Sequence, residues 1–270
     1  MTARLAVFGN PVEHSRSPLI HEAFGKQAGI DLHYEKVLVN DGDFEREASE
    51  FMKLGIGFNI TVPFKSAAWQ FVDHCSDKAA QAQAVNTISR DSRGILTGDN
   101  TDGEGLVRDL FCNLGWEIES KHLLVLGGGG AVSGVLGDLL DAGPSSIDLF
   151  NRTHEKATIL AQRFGDPRLR SIEKNSLAAG YDLIINGTSA GLSGEVVDLP
   201  AHIVGDQTCC YDMIYGDSTT SFNHWCLKQA SCRVSDGLGM LVEQAALAFR
   251  IWFGIDVNTT RVIKLLREQL

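Results

Sequence analysis

Lys65 and Asp102 are residue types that can handle a proton together, and each stands where a predicted element begins or ends. Lys65 closes NITVPFK at residues 59–65, in which the β-branched residues predict a strand and Pro63 ends its hydrogen-bond ladder. Asp102 opens a predicted helix in NTDG at 100–103. An ammonium group can stabilise a developing oxyanion and supply a proton, and a neighbouring carboxylate can orient it. Alone, the lysine would be a solvated surface residue, and the aspartate would be a helix cap.

A glycine-rich turn predicts a nucleotide site in the second half of the chain. Residues 123–134 read LLVLGGGGAVSG, so a short apolar strand passes into a helix through four glycines. Glycine permits positive φ and leaves no Cβ between backbone and ligand, and a helix start offers N–H groups to a pyrophosphate. The spacing departs from G-x-G-x-x-G, because Val132 stands at the third position and Gly134 follows. A flexible loop is the alternative.

The next strand end indicates which dinucleotide would bind. The predicted strand at 147–150 is followed by Asn-Arg-Thr at 151–153, with Lys156 one helical turn on. A free ribose hydroxyl usually meets an acidic residue at this tip, but Asp148 comes two residues too early and is expected to point elsewhere. The Arg152 guanidinium suits a 2′-phosphate, which it can grip with two N–H groups. The sequence therefore favours NADP over NAD, unless Arg152 only caps a surface turn.

Composition argues against several classes of function. The 270 residues are 44% hydrophobic and carry a net charge of −10, which offers no basic surface to nucleic acid. No window approaches 18 uninterrupted apolar residues, and no His/Cys/Asp cluster has metal-ligand spacing. We therefore expect no membrane span and no metal. The N-terminus lacks a signal peptide's apolar core, and the six cysteines show no C-x-x-C, so a cytoplasmic protein is predicted.

Strands and helices alternate along the chain, which predicts an α/β fold. In the first half we expect strands at 5–9, 33–39, 59–62, 84–88 and 94–97, and helices at 17–28, 43–54 and 65–71, with Ser17 capping the first helix before Pro18. A helix at 101–114 then precedes a βαβαβ succession, typical of a doubly wound sheet, with strands at 123–126, 147–150, 169–172, 183–186 and 208–212. The chain ends in predicted helices at 240–252 and 259–266.

An ordered set of motifs resembles the shikimate dehydrogenase family, whose members reduce 3-dehydroshikimate with NADP. The motifs are SRSP at 15–18, NITVPFK at 59–65, AVNT at 84–87, GDNTDG at 98–103, the glycine turn, NRT at 151–153, NGTS at 186–189 and DGLGMLVEQA at 236–245. The resemblance covers essentially the whole chain. It implies a substrate-binding domain from residues 1–101 plus 239–270, a Rossmann-like NADP-binding domain at 102–238, and catalysis in the cleft between them.

The resemblance also implies roles for individual residues. Lys65 and Asp102 would be catalytic, with Ser15 and Ser17 on the substrate carboxylate. The remaining substrate contacts would be Thr61, Lys65, Asn86, Asp102 and Gln244, with Tyr215 nearby. Cofactor contacts would be Asp77, Gly127, Gly128, Gly129, Gly130, Ala131, Asn151, Arg152, Thr153, Lys156, Thr188, Ser189, Met213, Gly237 and Met240. One stretch departs from the family: Asp217 and Ser221 replace usual prolines, which predicts a more flexible segment at 216–220.

Several alternatives stay open at this point. A quinate/shikimate dehydrogenase that uses NAD would usually carry an acidic residue where Arg152 stands. A non-catalytic protein that senses NADP would not need both Lys65 and Asp102. A relative of glutamyl-tRNA reductase or methylene-tetrahydrofolate dehydrogenase has no role for the SRSP loop. His14 and His21, which flank that loop, are expected to be surface or hydrogen-bonded histidines. The expected partner is a small molecule, shikimate or 3-dehydroshikimate, bound by a monomer or homodimer.

Overall fold

The structure is a computed structural model that describes residues 2–190 and 198–269. The first half of the chain forms a six-stranded sheet with strand order β2-β1-β3-β5-β6-β4, in which β5 runs antiparallel to both neighbours. Its strands are β1 (Ala3–Gly9), β2 (Leu32–Leu38), β3 (Gly57–Ile60), β4 (His74–Cys75), β5 (Thr87–Arg90) and β6 (Leu96–Asp99). Its helices are α1 (Ser17–Ala28), α2 (Phe44–Phe51), α3 (Lys65–Phe71) and α4 (Asp77–Ala82).

The second sheet is parallel throughout, with order β12-β11-β10-β7-β8-β9. Its strands are β7 (His122–Leu126), β8 (Ser146–Phe150), β9 (Leu169–Ser171), β10 (Leu183–Asn186), β11 (Cys209–Asp212) and β12 (Arg233–Asp236). The helices are α5 (Asp102–Arg108), α6 (Gly130–Asp141), α7 (His154–Phe164), α8 (Ser221–Gln229), α9 (Leu238–Phe253) and α10 (Thr259–Arg267). The strand order reverses between β7 and β10, the switch point at which such sheets bind dinucleotides. The predicted Rossmann-like sheet is confirmed.

Local details differ from the sequence expectations at both chemistry-bearing loops. Helix α1 begins at Ser17 itself, with Arg16 before it and no side-chain cap, so the prediction of Ser17 as N-cap was wrong. Strand β3 ends at Ile60 instead of 62, because the Phe64 amide bonds to the Thr61 carbonyl and closes a turn. The predicted helix at 101–114 divides into α5 and a π-helical turn at Asp109–Asn113.

The last two helices of the chain pack against the first sheet, as predicted. Ile20 and Phe24 on α1 share an apolar core with Val242 and Phe249 on α9. The Trp252 indole Nε1 donates to the Ile88 carbonyl of β5 at 3.0 Å. Both ends of the chain therefore build one core. None of the helices in the described part of the chain is long and apolar enough to span a membrane.

Helices α5, α6 and α9 meet very closely where the two sheets join. A Cβ on Gly105 of α5 would lie 2.7 Å from the Gln244 backbone nitrogen of α9. A Cβ on Gly103 would lie 2.2 Å from Oδ2 of Asp138 on α6. Only glycine fits such approaches, because it has no Cβ. The first residue of α5, Asp102, is consequently fixed between the sheets.

Helix α6 also rests on α4 of the first half. The Ser133 hydroxyl donates to the Ala82 carbonyl at 2.6 Å, and the same carbonyl accepts from Arg163 of α7 at 3.2 Å. Asp138 on α6 forms an ion pair with Lys78 on α4. These contacts tie the helix that follows the glycine turn to the sheet that carries Lys65.

Candidate active site

Lys65 and Asp102 form an ion pair at the junction of the two sheets. Each is the first residue of its helix, Lys65 of α3 and Asp102 of α5. Their side chains are 15% and 8% exposed, and the Lys65 ammonium donates to Oδ2 of Asp102. No side-chain cap closes α5, so the Asp102 carboxylate orients the lysine instead of capping its own helix. The pair predicted from the sequence is thus assembled and largely shielded from water.

Asn86 binds the other oxygen of the Asp102 carboxylate, and Gln244 lies beside Asn86. Asn86 Nδ2 donates to Asp102 Oδ1 at 2.8 Å and lies 3.4 Å from Oε1 of Gln244. The Thr101 hydroxyl joins them, 3.0 Å from Asn86 Nδ2 and 3.4 Å from Gln244 Oε1. Gln244 sits on an apolar helix, and its amide is hydrogen-bonded, as burial of a polar group requires. Four predicted substrate contacts, Lys65, Asn86, Asp102 and Gln244, therefore share one polar cluster.

The serine loop follows β1 and Thr61 follows β3; because β1 and β3 pair in parallel, both lie at the same edge of the first sheet. The Ser15 hydroxyl donates to Ser17 Oγ at 3.2 Å. Ser17 is buried and Ser15 half-buried; Ser15 lies in the loop before α1, and Ser17 is the first residue of α1. The Thr61 amide, directly after β3, donates to the Phe8 carbonyl at 2.8 Å. Tyr215 packs with the core between α1 and α9, where its burial raises the pKa of its hydroxyl although the Arg16 backbone partly offsets this.

The glycine turn lies beside the Lys65–Asp102 pair. Gly127 takes φ of +122°, which favours glycine. A Cβ on Gly128 would lie 3.1 Å from the Lys156 Cβ, whereas a Cβ on Gly129 would meet no described atom within 4 Å. The Cβ position of Gly130 is 4.0 Å from the Lys65 Cβ. The free N–H groups at the start of α6 thus open onto space beside the lysine, which fits a dinucleotide.

The residues that follow β8 are polar and exposed, as a phosphate site requires. Arg152, Thr153 and Lys156 are exposed, and the Asn151 amide donates to the Thr153 carbonyl at 2.8 Å. Asp148 is fully buried and accepts hydrogen bonds from Arg170 and Tyr181. The expectation that Asp148 points elsewhere is confirmed.

Buried polar side chains also fix the ends of β10 and β11 on the far side of the glycine turn. Asn186 Nδ2 donates to Asp212 Oδ1 at 3.0 Å, and Asn186 Oδ1 accepts from the Thr188 hydroxyl at 2.8 Å. Burial raises the pKa of Asp212. The Met213 sulphur lies 2.9 Å from the Cβ position of Gly187, and the Met213 carbonyl lies 2.3 Å from that of Gly237.

Four predicted cofactor residues have surroundings of other kinds. Asp77 is exposed at the start of α4, beside a cavity lined by Lys78, Asp99 and Arg250. Met240 is buried in the core beneath the second sheet. Ser189 is exposed after β10, and Ala131 is half-buried in the first turn of α6. The structure does not gather Asp77 and Met240 with the Lys65 cluster.

Sequence reasoning missed the polar residues behind the site. Tyr34, Asn59 and Thr87 are buried and hydrogen-bonded to one another; the one available signal was an asparagine inside an apolar strand. His14 is exposed, as expected. His21 is fully buried, with its ring stacked on Tyr34 at 4.4 Å and both ring nitrogens unpartnered, so the expectation of a surface or hydrogen-bonded histidine was wrong. Burial by aromatic neighbours on α9 and β2 explains the difference.

Family models match three segments of the chain. Residues 7–88 match the shikimate dehydrogenase substrate binding domain. Residues 111–193 match the shikimate/quinate 5-dehydrogenase model, and residues 237–267 match the shikimate 5′-dehydrogenase C-terminal domain. Together the matches cover parts of both sheets and the returning helices α9 and α10.

Individual relatives match from end to end. The chain is 46% identical to a protein of Alkalilimnicola ehrlichii named shikimate dehydrogenase (NADP(+)), over 100% of both chains. It is similar to the crystal structure of an Ael1 enzyme from Pseudomonas putida, with 38% identity, TM-score 0.92 and 98% of each chain covered. It is also similar to a shikimate 5-dehydrogenase from Thermus thermophilus in complex with NADP(H) and shikimate, with 31% identity, TM-score 0.90 and full coverage of both chains.

His21 should make the protein less stable in acid. Burial lowers the pKa of His21 to about 3, and the nearby Asn59 side chain has a smaller effect that raises it. An unfolded histidine has a pKa of about 6.5, so below that pH the unfolded state gains a proton that the folded state cannot take, and stability falls. His21→Phe removes this contribution. Between pH 7 and pH 5, the variant's unfolding free energy should therefore gain about 2 kcal/mol relative to wild type.

Urea unfolding of both proteins at the two pH values measures this difference. His14→Phe is the matched control, because His14 is an exposed histidine near the start of the same helix. A His21→Phe difference that does not change with pH would mean that His21 takes up a proton in the folded protein as readily as in the unfolded one.

Proposed function

The chain belongs to the shikimate dehydrogenase family, and we propose that it catalyses the reversible NADPH-dependent reduction of 3-dehydroshikimate to shikimate. One observation carries the proposal: the Lys65–Asp102 ion pair lies directly beside the glycine turn, with the Lys65 Cβ 4.0 Å from the Cβ position of Gly130. Hydride transfer needs the substrate carbonyl held between a proton-handling group and the nicotinamide. The Alkalilimnicola relative is named for the same activity with NADP(+).

The substrate is expected to lie along the first sheet, with its carboxylate at the serine loop. Ser15 and Ser17 offer two neighbouring hydroxyls, which can bond a carboxylate with little desolvation cost. The ring hydroxyls would meet Thr61, Asn86 and Gln244, with Tyr215 closing the side toward α1. Each hydroxyl or amide donor fixes one substrate oxygen, and together they orient the ring.

Lys65 and Asp102 would handle the proton at the reacting oxygen. When bound, NADPH supplies the hydride to the carbonyl carbon. The Lys65 ammonium stabilises the negative charge that develops on the carbonyl oxygen and donates a proton to it. The Asp102 carboxylate holds the ammonium through Oδ2 and is itself held by Asn86 through Oδ1. In the reverse direction the pair takes the proton from the shikimate hydroxyl.

The cofactor would run from the glycine turn to the end of β8. Gly127, Gly128, Gly129, Gly130 and Ala131 would cradle the pyrophosphate at the start of α6, and Asn151, Arg152, Thr153 and Lys156 would receive the 2′-phosphate. The nicotinamide end would meet Thr188, Ser189, Met213 and Gly237. For Asp77 and Met240 the proposal rests on the family resemblance, since neither lies beside the glycine turn.

We also propose the domain limits and the setting of the enzyme. Residues 1–101 plus 239–270 would form the substrate-binding domain, and 102–238 the NADP-binding domain, because α9 packs on α1 and α5 starts at the junction. The enzyme would be cytoplasmic, which agrees with its six free cysteines. It would act as a monomer or a homodimer.

An assay of nicotinamide reduction with shikimate or quinate, each with NADP or NAD, tests the proposed function. The pairing of shikimate with NADP should give the highest kcat/KM. A higher value for quinate with NAD would establish the quinate/shikimate alternative. Calorimetric NADP binding without turnover in any pairing would establish the non-catalytic alternative.

Lys65→Met should lower kcat by about 10²–10⁴, the usual scale for a lost proton-transfer group, and leave the shikimate Kd within a few-fold. The reason is that Lys65 acts mainly on the reacting oxygen in the transition state, and such contacts affect kcat. Asp102→Asn should also lower kcat, and the double variant should lose less than the product of the single losses, since the pair acts as a unit. Steady-state kinetics and calorimetry give the two quantities.

Lys53→Met is the control for Lys65, because Lys53 is an exposed lysine that also pairs with a carboxylate, Glu50. Near-normal kcat with a much raised KM in Lys65→Met would make the lysine a binding residue, and the proton would then come from Asp102 or water.

Arg152→Ala should weaken NADP binding by about 10- to 100-fold and leave NAD binding nearly unchanged, since a charged bidentate contact is worth roughly 1.5–3 kcal/mol. Fluorescence titration with both cofactors measures the effect. Arg93→Ala is the control, because Arg93 is also an exposed arginine but lies in the first half of the chain. It should change neither affinity. Equal losses for NADP and NAD in Arg152→Ala would place Arg152 away from the 2′-phosphate.

A further inference from the structure

A chain of buried hydrogen bonds runs behind the candidate active site and ends on Asp102. The Tyr34 hydroxyl on β2 donates to Asn59 Oδ1 on β3 at 2.7 Å. Asn59 Nδ2 donates to the Thr87 hydroxyl on β5 at 3.0 Å. All three residues are at most 5% exposed, so water does not compete for these bonds.

The chain continues from Thr87 into the carboxylate that holds the catalytic lysine. The Thr87 hydroxyl donates to Asn86 Oδ1 at 2.9 Å, and Asn86 Nδ2 donates to Asp102 Oδ1 at 2.8 Å. Thr87 is fully buried and Asn86 is 2% exposed. Beyond its other end, Tyr34 lies near Ser17 at the start of α1.

Each hydrogen bond in this series has a fixed direction, because every donor faces a group that can accept. An amide nitrogen can only donate and an amide oxygen can only accept. The Thr87 hydroxyl therefore accepts a hydrogen bond from Asn59 Nδ2 and donates its one proton to Asn86 Oδ1. A reversed Asn86 amide would face its oxygen toward the Asp102 carboxylate, acceptor against acceptor. The Asn86 backbone carbonyl also orients the Asn59 amide, and the Thr101 backbone N–H also orients the Asn86 amide. The hydroxyls of Tyr34 and Thr87 hold the two amide oxygens in these orientations.

Asn59 shows why Tyr34 is needed. Asn59 Nδ2 donates twice, to the Thr87 hydroxyl and to the Asn86 backbone carbonyl at 3.2 Å. Its Oδ1 accepts from Tyr34. Without the Tyr34 hydroxyl, Asn59 Oδ1 would be buried without this donor, and the amide would be held by its two Nδ2 bonds alone. The stacked ring of His21 fixes the tyrosine ring itself.

We propose that Tyr34 and Thr87 are positioning residues for the reaction: their hydroxyls orient Asn59 and Asn86, and through them set the Asp102 carboxylate that aims Lys65. Neither hydroxyl need touch the substrate or cofactor. This inference rests on the proposed function, because the hydrogen bonds from Tyr34 to Asp102 can position catalytic groups only if Lys65 and Asp102 handle the proton.

Kinetics of Tyr34→Phe and Thr87→Val test the proposal. Both variants keep the side-chain shape and remove a hydroxyl. We expect kcat to fall about 10- to 100-fold, the scale of a small misplacement of catalytic groups. KM for shikimate and the Kd for NADP should stay within about three-fold, since the binding contacts themselves remain. Thr87→Ser, which keeps a hydroxyl, should restore most of kcat.

The second sheet offers matched controls. Tyr181→Phe removes a buried tyrosine hydroxyl that donates to Asp148 at 2.8 Å. Thr208→Val removes a buried threonine hydroxyl that donates to the Tyr181 carbonyl at 2.9 Å. Both should keep wild-type kcat, although each loses a buried hydrogen bond. Melting temperatures of all variants show whether the stability losses are comparable.

The outcomes separate this proposal from the proposed function. Wild-type turnover with unchanged kcat in Tyr34→Phe and Thr87→Val would overturn the positioning role alone. Equal kcat losses in the controls, or a loss confined to KM, would also overturn it. Absence of wild-type turnover with shikimate and NADP would overturn both. If Thr87→Val does not fold, Tyr34→Phe and Thr87→Ser decide the question, because a positioning role requires the first to lose kcat and the second to keep it.

Discussion

The close approach of α5 to α6 and α9 is the constraint on which the rest of the structure depends. A side chain at Gly103 or Gly105 would collide with Asp138 or with the α9 backbone, so the three helices can meet only because these positions are glycine. The contact fixes where α5 begins. Asp102 stands at that point, and its carboxylate must reach Lys65 from one side and Asn86 from the other. A shift of α5 by the width of a methyl group would break this arrangement.

The same junction places the proton-handling residues next to the glycine turn. Lys65 comes from the first sheet and the glycine turn from the second, yet they lie in near contact. Helix α6 bears on α4 through Ser133 and the Asp138–Lys78 pair, so the N-terminus of α6 is placed relative to Lys65 by direct contact. Hydride and proton must reach neighbouring atoms of one carbonyl, and the fold meets that geometric demand with rigid helices in place of long loops.

Much of the architecture could be predicted, because its signals are local. The apolar strand and glycines at 123–134 gave β7 and α6 nearly to the residue, and motif resemblance identified Lys65 and Asp102. Short elements such as β4 and α8 were missed, since they are too brief or too mixed to show periodicity. The hydrogen bonds from Tyr34 to Asn59 and from Asn59 to Thr87 each join residues more than 20 positions apart. Only strand pairing brings these side chains together, and no local pattern encodes it.

The packing of α1 on α9 has a consequence for synthesis. The apolar residues Ile20 and Phe24 find their partners Val242 and Phe249 only at the far end of the chain. A ribosome that adds about 5–20 residues per second needs roughly 10–45 s to cover that distance. Meanwhile the parallel sheet can close on its own, because β7–β12 are contiguous. The apolar face of α1 therefore stays uncovered for most of translation. A chaperone has both the time and the surface to bind there.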